Sequence, residues 1–313
     1  MNDVILFLGM VQVLLPSALI TAHTFVLGAS RVGIALRTAA MALLLVYAAL
    51  AGVWLFPPWW TPYLLLVFLA LGTAFRFRRT KLAHRVWLRQ AERAFAGAAL
   101  IAIGLLLVPA ITGRAVPDGA IDLAMPLGPG RYLVTSGGTT ETINAHLFTL
   151  TLERARAFRG QSYAVDIIGI DRLGLRANGI SPVDPTAYVI YGTPVLAPCA
   201  GTVALVTDGV ADMPVPQMDR ANMTGNSIVL ACDSAFVLLA HLAPGSIAVQ
   251  DAQAVEVGTQ IGSVGNSGNT GEPHLHMHVQ AAMPTDAPFS GDPVWFTIGG
   301  RFLLRNDRFL VPD

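Results

Sequence analysis

Residues 1–113 are almost continuously apolar, and nothing else in the chain restricts its fold as strongly. Four stretches are long enough to cross a bilayer as helices: roughly Val4 to Gly28, Thr38 to Phe56, Trp59 to Phe75 and Ala94 to Thr112. The third is the shortest, and Trp59, Trp60 and Tyr63 give it an interfacial aromatic anchor. Pro57-Pro58 between the second and third leaves room for a hairpin turn and nothing more. Residues 114–313 have a different character, rich in Gly and Pro with alternating apolar positions, and read as an all-β domain.

Charge orients the helices. Arg31 and Arg37 fall between the first two stretches, and Arg76, Arg78, Arg79, Lys81, Arg85, Arg89 and Arg93 between the last two. The N-terminus and the Pro57-Pro58 turn carry no positive side chain. The positive-inside rule therefore places both basic loops in the cytoplasm and residues 114–313 outside. The start Met1-Asn2-Asp3 lacks the positive region of a cleavable signal peptide. Gln12 and His23 lie within the first stretch, and packing inside the bundle accounts for both. No transport motif, repeat or pore signature accompanies them.

The formal net charge of zero conceals an asymmetry: +7 over residues 1–113 and −7 over residues 114–313. An acidic external domain argues against a nucleic-acid partner. Strands are expected near Arg131 to Ser136, Ser162 to Ile168, Val195 to Thr207, Ser227 to Cys232, Phe236 to Leu242, Ser246 to Val249 and His274 to Val279. Trp295 to Phe309 reads as a closing hairpin around Gly299-Gly300, and Asp212 to Gly225 as a long loop walling a cleft. Cys199 and Cys232 both fall in this domain, where an extracytoplasmic compartment permits a disulfide; two buried thiols are the alternative.

The chemistry concentrates near the end of the chain, in His274-Leu275-His276-Met277-His278 directly after Gly265-Asn266-Ser267-Gly268-Asn269-Thr270-Gly271-Glu272-Pro273. On a strand these three imidazoles share one face, while Leu275, Met277 and Val279 share the other. A core strand has no use for a row of imidazoles, since each needs a buried partner. A metal or a proton-transfer site uses them well.

The order of segments then matters: Ala197-Pro198-Cys199-Ala200-Gly201-Thr202-Val203, the strand with His241, and the loop leading into His274-Leu275-His276. From Asn144 to Trp295 this order resembles the lysostaphin or LytM type of zinc metallopeptidase, which cuts peptide bonds in bacterial peptidoglycan. The resemblance implies an antiparallel β-sheet peptidase domain of the barrel-sandwich hybrid type. It agrees with the four apolar stretches and their charge, which place a multi-pass protein in the bacterial cytoplasmic membrane with its domain facing peptide stems or cross-bridges on the periplasmic side. The protein partners of such a chain are not legible. Carried over position by position, it implies Asp166 and His276 as zinc ligands, with His241 and His274 flanking the reacting water. The chemistry agrees, because a hydrolytic zinc needs three protein ligands and an open position.

One ligand departs from the pattern. The family places a His four residues before the Asp, and here that residue is Ser162. His146, in an Asn144-Ala145-His146 segment upstream, is the favoured replacement. His278 is the rival, although it lies about 7 Å further along the strand than His276. With neither, the chain would be an inactive domain that binds cell wall or regulates another hydrolase. A biotinyl or lipoyl carrier shares part of the pattern, but needs a modifiable lysine; Lys81 is the only lysine and lies outside the domain.

Overall fold

The computed structural model describes residues 3–25, 30–79 and 86–312. They form two compact units divided between Thr112 and Gly113.

The N-terminal unit contains α1 (Asp3–Phe25, with a π-helical turn at Met10–Leu14), α2 (Arg31–Ala51), α3 (Thr61–Arg79) and α4 (Val86–Thr112). Ser30 starts α2 by accepting the Gly33 N–H on its side chain, which satisfies one of the orphan donors of a helix start. Ile20, Leu45, Leu65 and Leu69 bring α1, α2 and α3 together in one apolar cluster. Phe7, Phe68, Phe95, Ile101 and Leu105 face outward, an arrangement suited to lipid.

Three of the four helices, α1, α2 and α4, are long and apolar enough to cross a membrane. The sequence suggests four, and α3 differs because Arg76, Arg78 and Arg79 occupy its last turn. Gly28, Lys81 and Arg85 lie outside the described residues. Gln12 pairs with the N–H and C=O of Val53, both at 3.0 Å, so its buried amide is satisfied by backbone just beyond α2. His23 is also buried, with Nε2 3.1 Å from the hydroxyls of both Thr38 and Thr73.

The C-terminal unit is built from twelve short strands: β1 (Ile121–Leu123), β2 (Gly130–Ser136), β3 (Val165–Gly169), β4 (Pro194–Leu196), β5 (Gly201–Thr207) and β6 (Asn226–Ala231). Then follow β7 (Phe236–Leu242), β8 (Ala254–Val255), β9 (Gln260–Ser263), β10 (Leu275–Gln280), β11 (Phe296–Ile298) and β12 (Arg308–Val311). Eight of them make one antiparallel sheet in the order β12-β2-β3-β10-β7-β6-β5-β8, with β4-β9 and β1-β11 as separate pairs. Period-two alternation decides which face is core: Leu275, Met277 and Val279 of β10 join Val165, Ile167, Val237 and Leu239 in the main cluster. On the opposite face β10 presents His276, His278 and Gln280, while β6 and β7 carry a second apolar cluster of Val229, Leu238 and Ala240.

Several expected strands differ in extent. Val195 to Thr207 breaks into β4 and β5 at a bend around Cys199, where Ala197 N–H turns to bond Thr259 O. Ser162 belongs to a 3-10 segment (Glu153–Tyr163), so β3 begins only at Val165. Ser246 to Val249 is not a strand; its alternation reflects burial, with the Ala248 N–H bonded to Ile261 O. Trp295 to Phe309 turns back at Gly299-Gly300 through a single antiparallel bridge, Ile298 to Arg301, but no hairpin extends beyond it: β11 pairs in parallel with β1, and β12 pairs with β2 at the sheet edge.

Cys199 and Cys232 are bridged, with Cα atoms 6.1 Å apart and a sequence separation of 33. The bridge closes the β5–β6 end of the sheet, where Thr202 lies opposite Ala231. Replacing both by Ser is expected to destabilise the external unit by about 2–4 kcal/mol, as loops of this length do. A thermal melt of the unit's transition checks this, and an unchanged Tm would show that the bridge contributes nothing.

Candidate metal centre

The site is set by sheet register. Ser136 of β2, Asp166 of β3, His276 of β10 and Ala240 of β7 lie opposite one another across four neighbouring strands. Directly opposed residues point to the same face, so Asp166 and His276 are forced side by side. The His276 Nδ1 is 2.9 Å from Asp166 Oδ1. His241 follows Ala240, and His274 immediately precedes β10, which brings both to the same end of the row.

His146 arrives by a different route. It sits in a 3-10 turn (Ala145–Leu150) anchored beneath by the row's Ser136. The Ser136 hydroxyl donates to Asn144 Oδ1 at 3.1 Å and accepts the Ala145 N–H at 3.1 Å. Asn144 is fully buried, and its Nδ2 donates to Gly138 O and Ala164 O. Its Oδ1 lies 3.2 Å from His146 Nδ1, so the ring proton belongs on Nδ1 and the Nε2 lone pair faces Asp166 Oδ2 at 3.4 Å. Ser162, where a nearer His is expected, is buried and occupied otherwise: it meets the Thr149 hydroxyl at 2.6 Å and donates to Arg159 O.

His241 and His274 form a facing pair, with ring centroids 4.8 Å apart. Each has Nδ1 fixed by a carbonyl: His241 by Ser267 O at 2.9 Å, His274 by Glu272 O at 2.9 Å. Carbonyls only accept, so both rings carry their proton on Nδ1 and offer Nε2 to the site. His241 adopts φ 64°, in the left-handed region uncommon for residues other than Gly. Two flanking bonds hold it there, His241 N–H to Thr224 O and Gly265 N–H to His241 O.

The electrostatics favour metal-ligating protonation states. Burial pushes the Asp166 carboxyl up, but the imidazoles of His146, His274 and His276 around it prevail and hold it well below the usual carboxylate range. Burial lowers His146 to about 4, against the opposing pull of Asp166. Burial, with His274 and His276 nearby, keeps His241 well below the ordinary histidine range. The result is an ionised carboxylate beside the neutral imidazoles of His146 and His241, oxygen and nitrogen donors of the kind that a divalent zinc takes.

Two overlapping groups could hold an ion, His146–Asp166–His276 and His241–His274–His276, each with its donor atoms within 4.8 Å of one another. His278 belongs to neither. The sites open onto a cleft of about 230 Å³ lined also by Phe148, Phe158, Met223 and Phe289. Met223 and Thr224 come from the long Asp212–Gly225 loop, which is tied to the His-bearing loop through Met213 N–H to Asn266 O and Asp219 N–H to Gly268 O.

Other supporting residues carry no motif. Arg176 and Glu272 form a buried pair, with Arg176 Nε 2.8 and 2.9 Å from the two carboxylate oxygens. That pair steadies the residue whose carbonyl orients His274. Ser136 and Gln280 are equally silent in the sequence, because only the sheet register shows what stands beside a ligand.

A profile of Peptidase family M23 matches residues 186–288. The matched span includes His241, His274 and His276; Asp166 and His146 precede it. Among solved structures, the chain is similar to the catalytic domain of a prophage-encoded M23 protein from Enterococcus faecalis, at 18% identity over 42% of this chain and 73% of that one, TM-score 0.28. It is also similar to the catalytic domain of the antimicrobial peptidase lysostaphin from Staphylococcus simulans, at 17% identity over 53% of this chain and 84% of that one, TM-score 0.26. A zinc-containing peptidase from Vibrio cholerae aligns at 21% identity over 42% of this chain and 48% of that one, TM-score 0.24. No curated protein matches the chain. Residues 186–288, where the histidine-bearing strand and its loop lie, form a domain of peptidase family M23.

Proposed function

We propose that the chain is a membrane-anchored zinc endopeptidase that hydrolyses peptide bonds in bacterial peptidoglycan, in peptide stems or cross-bridges. The observation that carries this reading is the three-donor group His146–Asp166–His276 standing beside the His241–His274 pair. That combination supplies a metal position and two proton-handling groups at one cleft.

The donor set fits zinc, and His146 Nε2, an Asp166 oxygen and His276 Nδ1 would hold it. Zinc bound there supplies Lewis acidity to the scissile carbonyl and to a water molecule. The remaining work belongs to the chain's own side chains. The Nε2 atoms of His241 and His274 take the proton from the attacking water and return it to the leaving amine. Their Nδ1–H bonds to Ser267 O and Glu272 O hold the rings in the tautomer this requires. Phe148, Phe158 and Phe289 line the cleft and limit water around the peptide.

Four membrane crossings fit this reading better than three. At 19 residues α3 spans about 28 Å as a helix, close to the thickness of a hydrocarbon core. It also shares the Ile20, Leu45, Leu65 and Leu69 cluster with α1 and α2. With α3 crossing, both basic segments face the cytoplasm and the β unit faces the periplasm; without it, the basic segment after α3 would lie outside. Val195 of β4 and Ile261 of β9 pack into the same core as the main sheet, as a barrel-sandwich arrangement would need.

The test uses the full chain in detergent with purified peptidoglycan. New free amino groups, appearing without new reducing sugar ends, are expected. A zinc chelator abolishes them and added zinc restores them. A zinc-loaded chain that releases no amino groups would leave the alternative raised by Ser162, a wall-binding module without activity.

A further inference from the structure

The third imidazole of the β10 row, His278, is outside both candidate metal groups, yet it is only 2% exposed and touches a proposed ligand directly. His278 Nδ1 lies 3.1 Å from His276 Nε2, with the rings edge-on and their centroids 5.3 Å apart. Its other nitrogen, Nε2, is buried and makes no hydrogen bond of standard geometry among the described residues. Gln280, two residues on and on the same face, is equally buried, and its Oε1 makes no such bond either. The Gln280 amide is oriented, because Nε2 donates to Pro288 O, so its other end must be the acceptor. Gly160 makes room for that end: a Cβ there would collide with Gln280 Oε1 and press on Phe289 O.

From these contacts, we infer that His278 is a positioning residue for His276, fixing its tautomer and ring orientation through a relay that ends at Gln280. The inference rests on His276 holding zinc through Nδ1. A ring that gives Nδ1 to a metal carries its proton on Nε2. That proton has one neighbour, the lone pair of His278 Nδ1, which forces the His278 proton onto Nε2. That donor then turns to the Gln280 side chain, which interacts with the His278 ring, and every hydrogen in the line is assigned. Ligating histidines commonly donate their second N–H to a carboxylate, carbonyl or water, and losing that acceptor weakens metal binding about 10- to 100-fold. Here an imidazole takes the acceptor's place, which gives a buried third histidine a use that a core strand does not.

The experiment is competition for zinc between the full chain in detergent and a chromophoric chelator. His278→Phe keeps the ring's bulk and removes the acceptor; a 10- to 100-fold rise in Kd at unchanged stoichiometry is expected. His278→Asn puts a carbonyl oxygen near the Nδ1 position and is expected to recover most of the affinity. Gln280→Met, which leaves the fold's core face untouched, is expected to move Kd in the same direction by less. His278→Phe binding zinc as tightly as the unaltered chain overturns the inference while the peptidase reading stands. If Phe and Asn alike abolish stoichiometric binding in a folded chain, His278 is itself a ligand and the inference also falls. An unaltered chain that takes up no zinc defeats the peptidase reading, and the positioning role with it.

Discussion

His276→Ala is expected to leave the chain without bound zinc and without hydrolytic activity. His276 is the one residue common to both groups of metal-capable side chains. It is also opposite Asp166 in the β3–β10 register, at 2.9 Å between Nδ1 and Oδ1. Removing it leaves Asp166 with His146 as the remaining member of its group, one short of the three protein ligands of a hydrolytic zinc. The loss reaches further than the metal, since the Asp166 carboxylate would lose the 2.9 Å contact to one of the imidazoles that offset its burial. Zinc content and amino-group release, measured on the same preparation, check this. Full zinc occupancy in the variant would show that the ion is held elsewhere.

His274→Ala has a different expected outcome: zinc stays, and kcat falls by about 10²- to 10⁴-fold, the usual contribution of a positioned acid–base group. His274 Nε2 is 3.6 Å from Asp166 Oδ1, near the site but longer than a hydrogen bond, and its Nδ1 is committed to Glu272 O. The same variant separates the two overlapping groups. If His241–His274–His276 held the metal, His274→Ala would lose it along with activity. Retained zinc with a collapsed kcat favours His146–Asp166–His276.

The helices were legible because a long apolar run has few other structures open to it; Val4 to Gly28 already contains most of α1. What hydropathy blurred was α3, whose arginines sit inside the helix rather than after it. The face of β10 was legible for the same kind of reason, since strict alternation sends His274, His276 and His278 one way and Leu275, Met277 and Val279 the other. That His146, and not His278, stands in a group with Asp166 was not. It depends on Ser136 and Asn144 fixing a 3-10 turn above Asp166, through contacts that span 8 and 20 residues and leave no periodic trace. Spacing along a strand sets His278 two residues beyond His276, but it does not reveal that their ring nitrogens lie 3.1 Å apart. The Ser246–Val249 segment shows the opposite failure: its pattern is that of a strand, while Ala248 bonds a neighbour singly and no ladder forms.

The central claim is that a third ligand outside the usual position completes a zinc site despite Ser162. Zinc per chain, by elemental analysis of the purified full-length protein after reconstitution, tests it most directly. About one zinc per chain is expected for a single three-ligand site with an open position. No bound zinc would contradict it, and would mean that the imidazoles gathered around Asp166 do not make a metal site.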